Sequence, residues 1–224
     1  MKGPCGKGLF MKGLFITIEG IDGCGKSTQS ARLARWLEAR TGREVLRTFE
    51  PGGWEGGRAL RALILNGEVP DPDTELLLFL ADRAGHLGSV VRPAIGAGKI
   101  VLCERYSDST WAYQAGGRGL DPERVRGLLD RCGFLTPDLT LLLEIEPEAA
   151  SARLRDRGDG RRDRIEAGGL AFMARVAEAY SDLARREPGR IERIPAAGSE
   201  EEVGELVRRA AAARLGIRQS EGPA

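Results

Sequence analysis

The sequence predicts an α/β three-layer sandwich, a five-stranded parallel sheet with helices on both faces, and the one compositional break is an arginine-rich stretch at Arg153–Arg164. Two observations carry that class. Short β-rich apolar runs alternate with longer amphipathic stretches, the pattern of a parallel sheet covered on both sides. The first apolar run also ends in a glycine-rich turn that opens directly into a helical pattern. Strands are expected at Leu14–Glu19, Val45–Phe49, Ile100–Glu104, Leu139–Ile145 and Arg190–Ile194. Helices are expected at Ser27–Arg40, Gly57–Leu65, Thr74–Ile95, Pro122–Cys132, Pro147–Arg157, Glu166–Arg186 and Ser199–Leu215. The last of these starts at Ser199 followed by Glu200, Glu201 and Glu202, acids that favour a helix N-terminus.

At 224 residues and a formal net charge of +1, the chain has the size of one domain and lacks a nucleic-acid binder's basic excess. No apolar run approaches the ~18–20 residues needed to cross a bilayer, so no membrane partner is expected. The opening residues carry lysines and glycines but no apolar core of a signal peptide. Because MKGPCGKGLF is followed by MKGLF, residues 1–12 read as an N-terminal extension, with Met1 and Met11 both open as starts. Residues 13–215 read as a single domain and 216–224 as a loose tail. The cysteines at 5, 24, 103 and 132 form no CxxC pair and have no histidine cluster beside them. That argues against a zinc site or a disulfide framework and for a reducing, cytoplasmic home. His86 is the only histidine, which excludes any mechanism needing two.

Gly20-Ile21-Asp22-Gly23-Cys24-Gly25-Lys26-Ser27 fits G-x-x-x-x-G-K-[ST] without a mismatch, and Thr28 follows it. The glycines let the backbone turn tightly, so that successive N–H groups face phosphate oxygens, and the helix dipole adds to that field. Lys26 is placed to reach the β- and γ-phosphates of ATP, and the Ser27 hydroxyl to ligate magnesium. This is the signature of the P-loop NTPases. A guanine-nucleotide switch is excluded because Asn66 is the only asparagine and no lysine follows it. A protein kinase is excluded because neither His-Arg-Asp nor Asp-Phe-Gly occurs.

Beyond the loop, five further segments stand in order between the second strand and the last helices. They are Glu50-Pro51-Gly52-Gly53, Leu78-Phe79-Leu80-Ala81-Asp82-Arg83, Glu104-Arg105-Tyr106 with Ser109 and Ala112-Tyr113-Gln114, Gly116-Gly117-Arg118-Gly119, and Asp163-Arg164-Ile165-Glu166. In this order and spacing, from about Leu14 to Arg186, the chain resembles the bacterial thymidylate kinases. The resemblance implies phosphorylation of dTMP to dTDP with ATP and Mg2+, toward dTTP, in a cytoplasmic homodimer.

The residues admit that reading on physical grounds. Phe79 and Arg83 are spaced i, i+4 and share a helix face, where a ring can stack on a pyrimidine and a guanidinium can donate to it. A core phenylalanine beside a solvated arginine is the alternative. Arg105 follows a strand at its carboxyl end, where open α/β sheets place ligands, and suits an acceptor phosphate, with a structural salt bridge as the alternative. The resemblance further implies Glu50 and Ser109 at the dTMP site, Asp22 near the sugar 3′-hydroxyl, and Tyr113 where a 2′-hydroxyl would sit; a turn-forming aspartate and a core tyrosine are the alternatives for the last two. It also implies Gln114 at the base edge and Glu104 near magnesium, directly or through water. Arginines at 153, 155, 157, 161, 162 and 164 resemble the kinase lid, although such a run is also an ordinary solvated helix face. Since the P-loop supplies Gly23 rather than an arginine, the transition-state arginine is sought in the lid, first at Arg153 and Arg157.

Three positions depart from the family pattern. Glu104 replaces an aspartate, Phe49 an arginine, and Trp54 a threonine. Two rivals remain: a deoxynucleoside kinase, and a nucleotide-operated switch or assembly ATPase that hydrolyses ATP without an acceptor.

Overall fold

The first strand, β1 (Leu14–Glu19), is buried along nearly all its length, as a strand covered on both faces must be. It pairs in parallel with β3 (Ile100–Glu104) on one side and β4 (Leu139–Glu144) on the other. Outside these lie β2 (Val45–Phe49) and β5 (Ile191–Pro195), giving the order β2-β3-β1-β4-β5 with every pairing parallel. The structure, a computed structural model, describes residues 12–156, 164, 165 and 168–217. Most of the expected N-terminal extension, most of the tail and the lid stretch 157–163 lie outside the described residues.

The chain leaves β1 toward β2 on one side and later crosses to β4 on the other. That reversal opens a crevice at the carboxyl ends of the strands, the usual ligand site of such sheets. One apolar layer gathers Ile16 and Ile18 of β1 with Leu141 and Leu143 of β4 and with Leu33 and Leu37 of α1 (Lys26–Thr41). Phe15 points the other way, into Val101, Cys103, Tyr106 and Val91. Each such aliphatic or aromatic side chain contributes about 1.5–3 kcal/mol on burial.

Local chemistry sets the helix ends. The helix α1 stops at Gly42, whose N–H caps the Glu38 carbonyl from a left-handed conformation. α9 (Glu200–Leu215) packs beside α1 and starts in a reciprocal Ser199–Glu202 capping box, a feature contributing about 1 kcal/mol. α2 (Gly57–Asn66) follows the Glu50-Pro51-Gly52-Gly53 turn. α3 (Pro72–His86) is capped by the Asp71 carboxylate on the Thr74 N–H.

The single helix expected over Thr74–Ile95 is instead three joined pieces. α3 passes through a wider π-helical stretch, Leu87–Val91, into α4 (Arg92–Gly96). Pro93 supplies the reason: its ring would clash with the carbonyl four residues earlier in a regular helix, and the widened turn avoids this.

A second departure is α5 (Ser107–Thr110), which continues into a π-helical stretch, Trp111–Gly117. The sequence hides it because Ser-Asp-Ser-Thr favours turns and Gly116-Gly117 disfavours helices. Those glycines have a packing role. A Cβ on Gly116 would lie 2.4 Å from the Ala179 Cβ on α8 (Gly169–Arg186), so only glycine permits that approach. α6 (Pro122–Arg131) and α7 (Pro147–Asp156) complete the layers. The ends of β4 and β5 fall one residue from expectation, within ordinary fraying.

Candidate active site

The loop from Gly20 to Gly25 joins β1 to α1 at the crevice. Gly23 has φ +83°, and a Cβ there would sit 2.3 Å from the Ala150 carbonyl, so the position requires glycine. Ile21 and Cys24 turn their side chains into the core, leaving only their backbone to face a ligand. Lys26, the first residue of α1, donates from Nζ to the Gly20 and Ile21 carbonyls at 3.1 and 2.8 Å. The Ser27 hydroxyl donates to Oε2 of Glu104 at 2.6 Å, and Arg47 approaches the other oxygen at 3.4 Å. The hydroxyl and carboxylate expected at a magnesium site are therefore adjacent, as hard oxygen ligands for that ion must be.

Two clefts flank this loop. Gly23, Cys24, Gly25 and Thr28 line one of about 350 Å³, together with Arg153, Gly198 and Ser199. The other, about 180 Å³, is lined by Asp22, Glu50, Phe79, Arg105, Ser109, Tyr113 and Gln114, all expected at the acceptor site. A larger cleft of about 480 Å³ touches the loop only at Gly20 and Ile21. There Glu144 is already engaged by Arg193 and Ser181.

Arg105 links the loop to the smaller cavity. Its backbone is held at φ +64°, a conformation costly for a side-chain-bearing residue. Two hydrogen bonds fix it there: its own N–H to the Ile18 carbonyl, and the Tyr106 N–H to the Glu19 carboxylate at 2.7 Å. The guanidinium pairs with Asp22 and lies 4.9 Å over the Tyr113 ring. Burial raises the Asp22 carboxyl, but Arg105 and then Lys26 outweigh it and hold the group at about 2. Burial pushes the Tyr113 phenol well up, so it keeps its proton and donates to Asp22 at 3.1 Å.

Glu19 was not singled out by the sequence. It is wholly buried at the end of β1 and also accepts from Ser109 and Tyr180, at 2.6 and 2.8 Å. Burial, then the charge of Asp108, lifts its carboxyl to about 7 against the hydrogen bonds and Arg105.

The family model for thymidylate kinase matches residues 18–207. The chain belongs to the thymidylate kinase family. A thymidylate kinase of Gloeobacter violaceus is 47% identical over 214 residues, covering 93% of this chain and 99% of that protein. One of Nitratidesulfovibrio vulgaris is 46% identical over 205 residues, covering 88% and 95% respectively. The crystal structure of thymidylate kinase from Ehrlichia chaffeensis superposes with a TM-score of 0.73 at 31% identity, covering 88% of this chain and 98% of that one. The five-stranded sheet is thus a P-loop NTPase fold, and the family is one of nucleoside monophosphate kinases.

Within this thymidylate kinase fold, some expected residues are placed differently. Arg83 is 1% exposed and does not line the cavity. Its Nε donates to Glu50 and its Nη1 to Thr110, both at 2.8 Å, so it lies behind the wall rather than on a solvated face. Gln114 lines the cavity, but its amide N–H donates to Glu75 at 2.8 Å, leaving its carbonyl for a ligand. Arg153 gives its guanidinium to the carbonyls of Ala196, Ala197 and Gly198, at 2.9–3.0 Å. That placement counts against it as the transition-state arginine. Arg157, the other first choice, lies outside the described residues, as do Arg161 and Arg162. Arg164 pairs with Glu75 and donates to the Ile64 carbonyl.

Arg61 is a cavity residue that the sequence reading missed. It donates to the Pro51 carbonyl at 2.7 Å and lies 5.4 Å over the Phe49 ring. Its signal was an arginine one turn into the helix after the Glu50-Pro51-Gly52-Gly53 turn. Phe49, one of the departures, thus serves as the platform for a cation facing the cavity. Trp54, another, donates its indole N–H to Asp82, which also accepts from the Gly52 N–H, and so braces the same turn.

Proposed function

We propose that the chain transfers the γ-phosphoryl group of ATP to dTMP, giving ADP and dTDP for dTTP synthesis. One observation carries the reading: neighbouring residues of one loop, Asp22 and Gly23, line two different clefts. A donor in the larger and an acceptor in the smaller would meet at the loop between them, as direct transfer requires. Gly20–Thr28 bind the triphosphate, while Phe79, Tyr113 and Gln114 take the nucleoside and Arg105 with Arg61 the acceptor phosphate. Arg83 supports this site from behind, through Glu50 and Thr110.

The acceptor phosphate is an anion at neutral pH, its second pKa being about 6, so no general base is required. Lys26 and Arg105 gather charge that develops during transfer, with lid arginines, Arg157 first, closing over it. Ser27 and Glu104 are the residues that would hold Mg2+, which when bound neutralises phosphate charge. Asp22 stays ionised and keeps the Arg105 fork turned toward the loop.

Three cysteines among the described residues, Cys24, Cys103 and Cys132, are free, which suits a reducing cytoplasm. A homodimer fits the exposed Leu63 of α2 and Leu77 of α3, 42% and 57% accessible on neighbouring helices. Sedimentation tests that state.

Coupled release of ADP, measured across the nucleoside monophosphates, tests the activity. We expect dTMP first, dUMP weaker, and CMP and GMP negligible. The thymine methyl contributes only ~1–3 kcal/mol, so dUMP is reduced rather than excluded. Thymidine preferred over dTMP would point to a nucleoside kinase, and hydrolysis without any acceptor to a switch ATPase.

A further inference from the structure

His86 ends α3, is fully buried, and takes no part in the transfer proposed above. Its Nδ1 lies 2.9 Å from Oε1 of Glu50, and its Nε2 lies 2.6 Å from Oγ1 of Thr48. The other Glu50 oxygen accepts from Nε of Arg83, whose Nη1 donates to Thr110. Thr48, His86, Glu50, Arg83 and Thr110 therefore form one continuous buried relay. Two of its members, Glu50 and Thr110, line the acceptor cavity.

We propose that His86 is a positioning residue for the acceptor site, locking the Glu50 carboxylate through an Nδ1–H hydrogen bond. The terminal torsion of a glutamate is broad, so a carboxylate bonded on one side only can swing within its site. Bonded at both oxygens, by Arg83 and His86, it has one orientation and holds Arg83 and Thr110 in register behind the nucleotide. As the ion-pair partner of Arg83, Glu50 only accepts hydrogen bonds, so the ring nitrogen facing it must carry a proton. Thr48 then anchors the far side of the ring, the tautomer-fixing arrangement of a histidine held at both nitrogens.

Glu50, His86 and Cys103 also bring ligand atoms within 4.8 Å of one another, a spacing that a metal ion could use. The relay is favoured because the Cys103 sulfur donates to the Arg105 carbonyl at 3.1 Å and burial keeps it a thiol. Glu50 already has its counter-charge in Arg83.

The inference rests on the dTMP reading, so wild-type turnover with dTMP is measured first. H86L should then raise KM for dTMP about tenfold while KM for ATP stays within about twofold. H86N, whose amide N–H stands near the place of Nδ1, should recover most of that loss, and T48V should give a smaller rise. As the sole histidine, His86 gives an unambiguous ¹⁵N spectrum in the intact protein, and we expect a protonated Nδ1. An unprotonated Nδ1 overturns the proposal whether or not the variants fold. So does H86N no better than H86L, an equal rise in both KM values, or one equivalent of zinc in the purified protein. Failure of wild type to use dTMP would defeat the substrate reading instead, and the variants would then be scored on the monophosphate it does use.

Discussion

Nη2 of Arg105 lies 2.5 Å from Oδ1 of Asp22, tying the segment after β3 to the phosphate loop after β1. Both side chains are largely shielded from water, so losing one partner leaves the other charge poorly compensated. Arg105→Ala should lower kcat/KM for dTMP by about 10³-fold, since an oriented charge at the reacting group is lost. Arg105→Lys should recover only part of it, because an ammonium lacks the planar fork. Loss below about tenfold in Arg105→Ala would remove Arg105 from the acceptor site.

The same residue offers a backbone test. At φ +64° glycine is unstrained and alanine is not. Neither substitution keeps the guanidinium, so their difference isolates the backbone. Urea unfolding should find Arg105→Gly more stable than Arg105→Ala by about 1 kcal/mol. Equal midpoints would mean that the segment relaxes out of the left-handed conformation.

Lys26→Ala should retain its circular dichroism spectrum and lose at least about 100-fold in kcat. The lysine now bonds loop carbonyls that need no charged partner to stay folded, whereas the transferring phosphoryl group does need one. Retention of more than about a tenth of wild-type activity, a loss under ~1.4 kcal/mol, would contradict the role given to the loop.

Glu19 predicts a specific pH dependence of stability. Its carboxyl is raised from 4.5 to about 7 in the folded protein, so the folded state holds that proton more tightly than the unfolded chain. Its contribution is complete below pH about 4.5 and is lost as pH rises through about 7, with a slope of at most ~1.4 kcal/mol per pH unit. Asp22 has the opposite sign, but its contribution disappears only as pH falls from about 4 toward 2, outside that window. Glu19→Gln should therefore gain stability relative to wild type between pH 5 and 8. A constant difference across that range would show that Glu19 is ionised throughout.

In the lid, Arg157→Ala should lower kcat more than it raises either KM, as a group acting in the transition state does. Arg153→Ala should behave differently, raising KM for ATP with a smaller effect on kcat. Its guanidinium holds residues 196–198, and with Gly198 it lines the cleft beside Gly23–Gly25. A large kcat loss in Arg153→Ala with ATP binding intact would return it to the reacting phosphate.

The sequence by itself determined the layers and the phosphate loop. Both follow from local rules: a period of two or 3.6 in the apolar residues, and a glycine spacing that only one backbone path satisfies. The turn at Gly20–Ser27 was legible because glycines set the course of its backbone, and the place of Glu104 at a strand end because the apolar pattern before it fixes where β3 stops. Tertiary structure alone decided which charges meet. Arg83 and Phe79 share a helix face in the sequence, yet Arg83 is drawn behind the cavity wall because Glu50 and Thr110, far away in the chain, converge on it. Arg153 reads as one more lid cation until the fold brings the carbonyls after β5 to its guanidinium. Glu19 reads as an ordinary strand-end residue. It becomes a buried acid near neutrality only because Tyr106, Ser109 and Tyr180 close over it and exclude water. Periodicity records which way a side chain faces, whereas burial and ion pairing depend on what distant segments bring to that face.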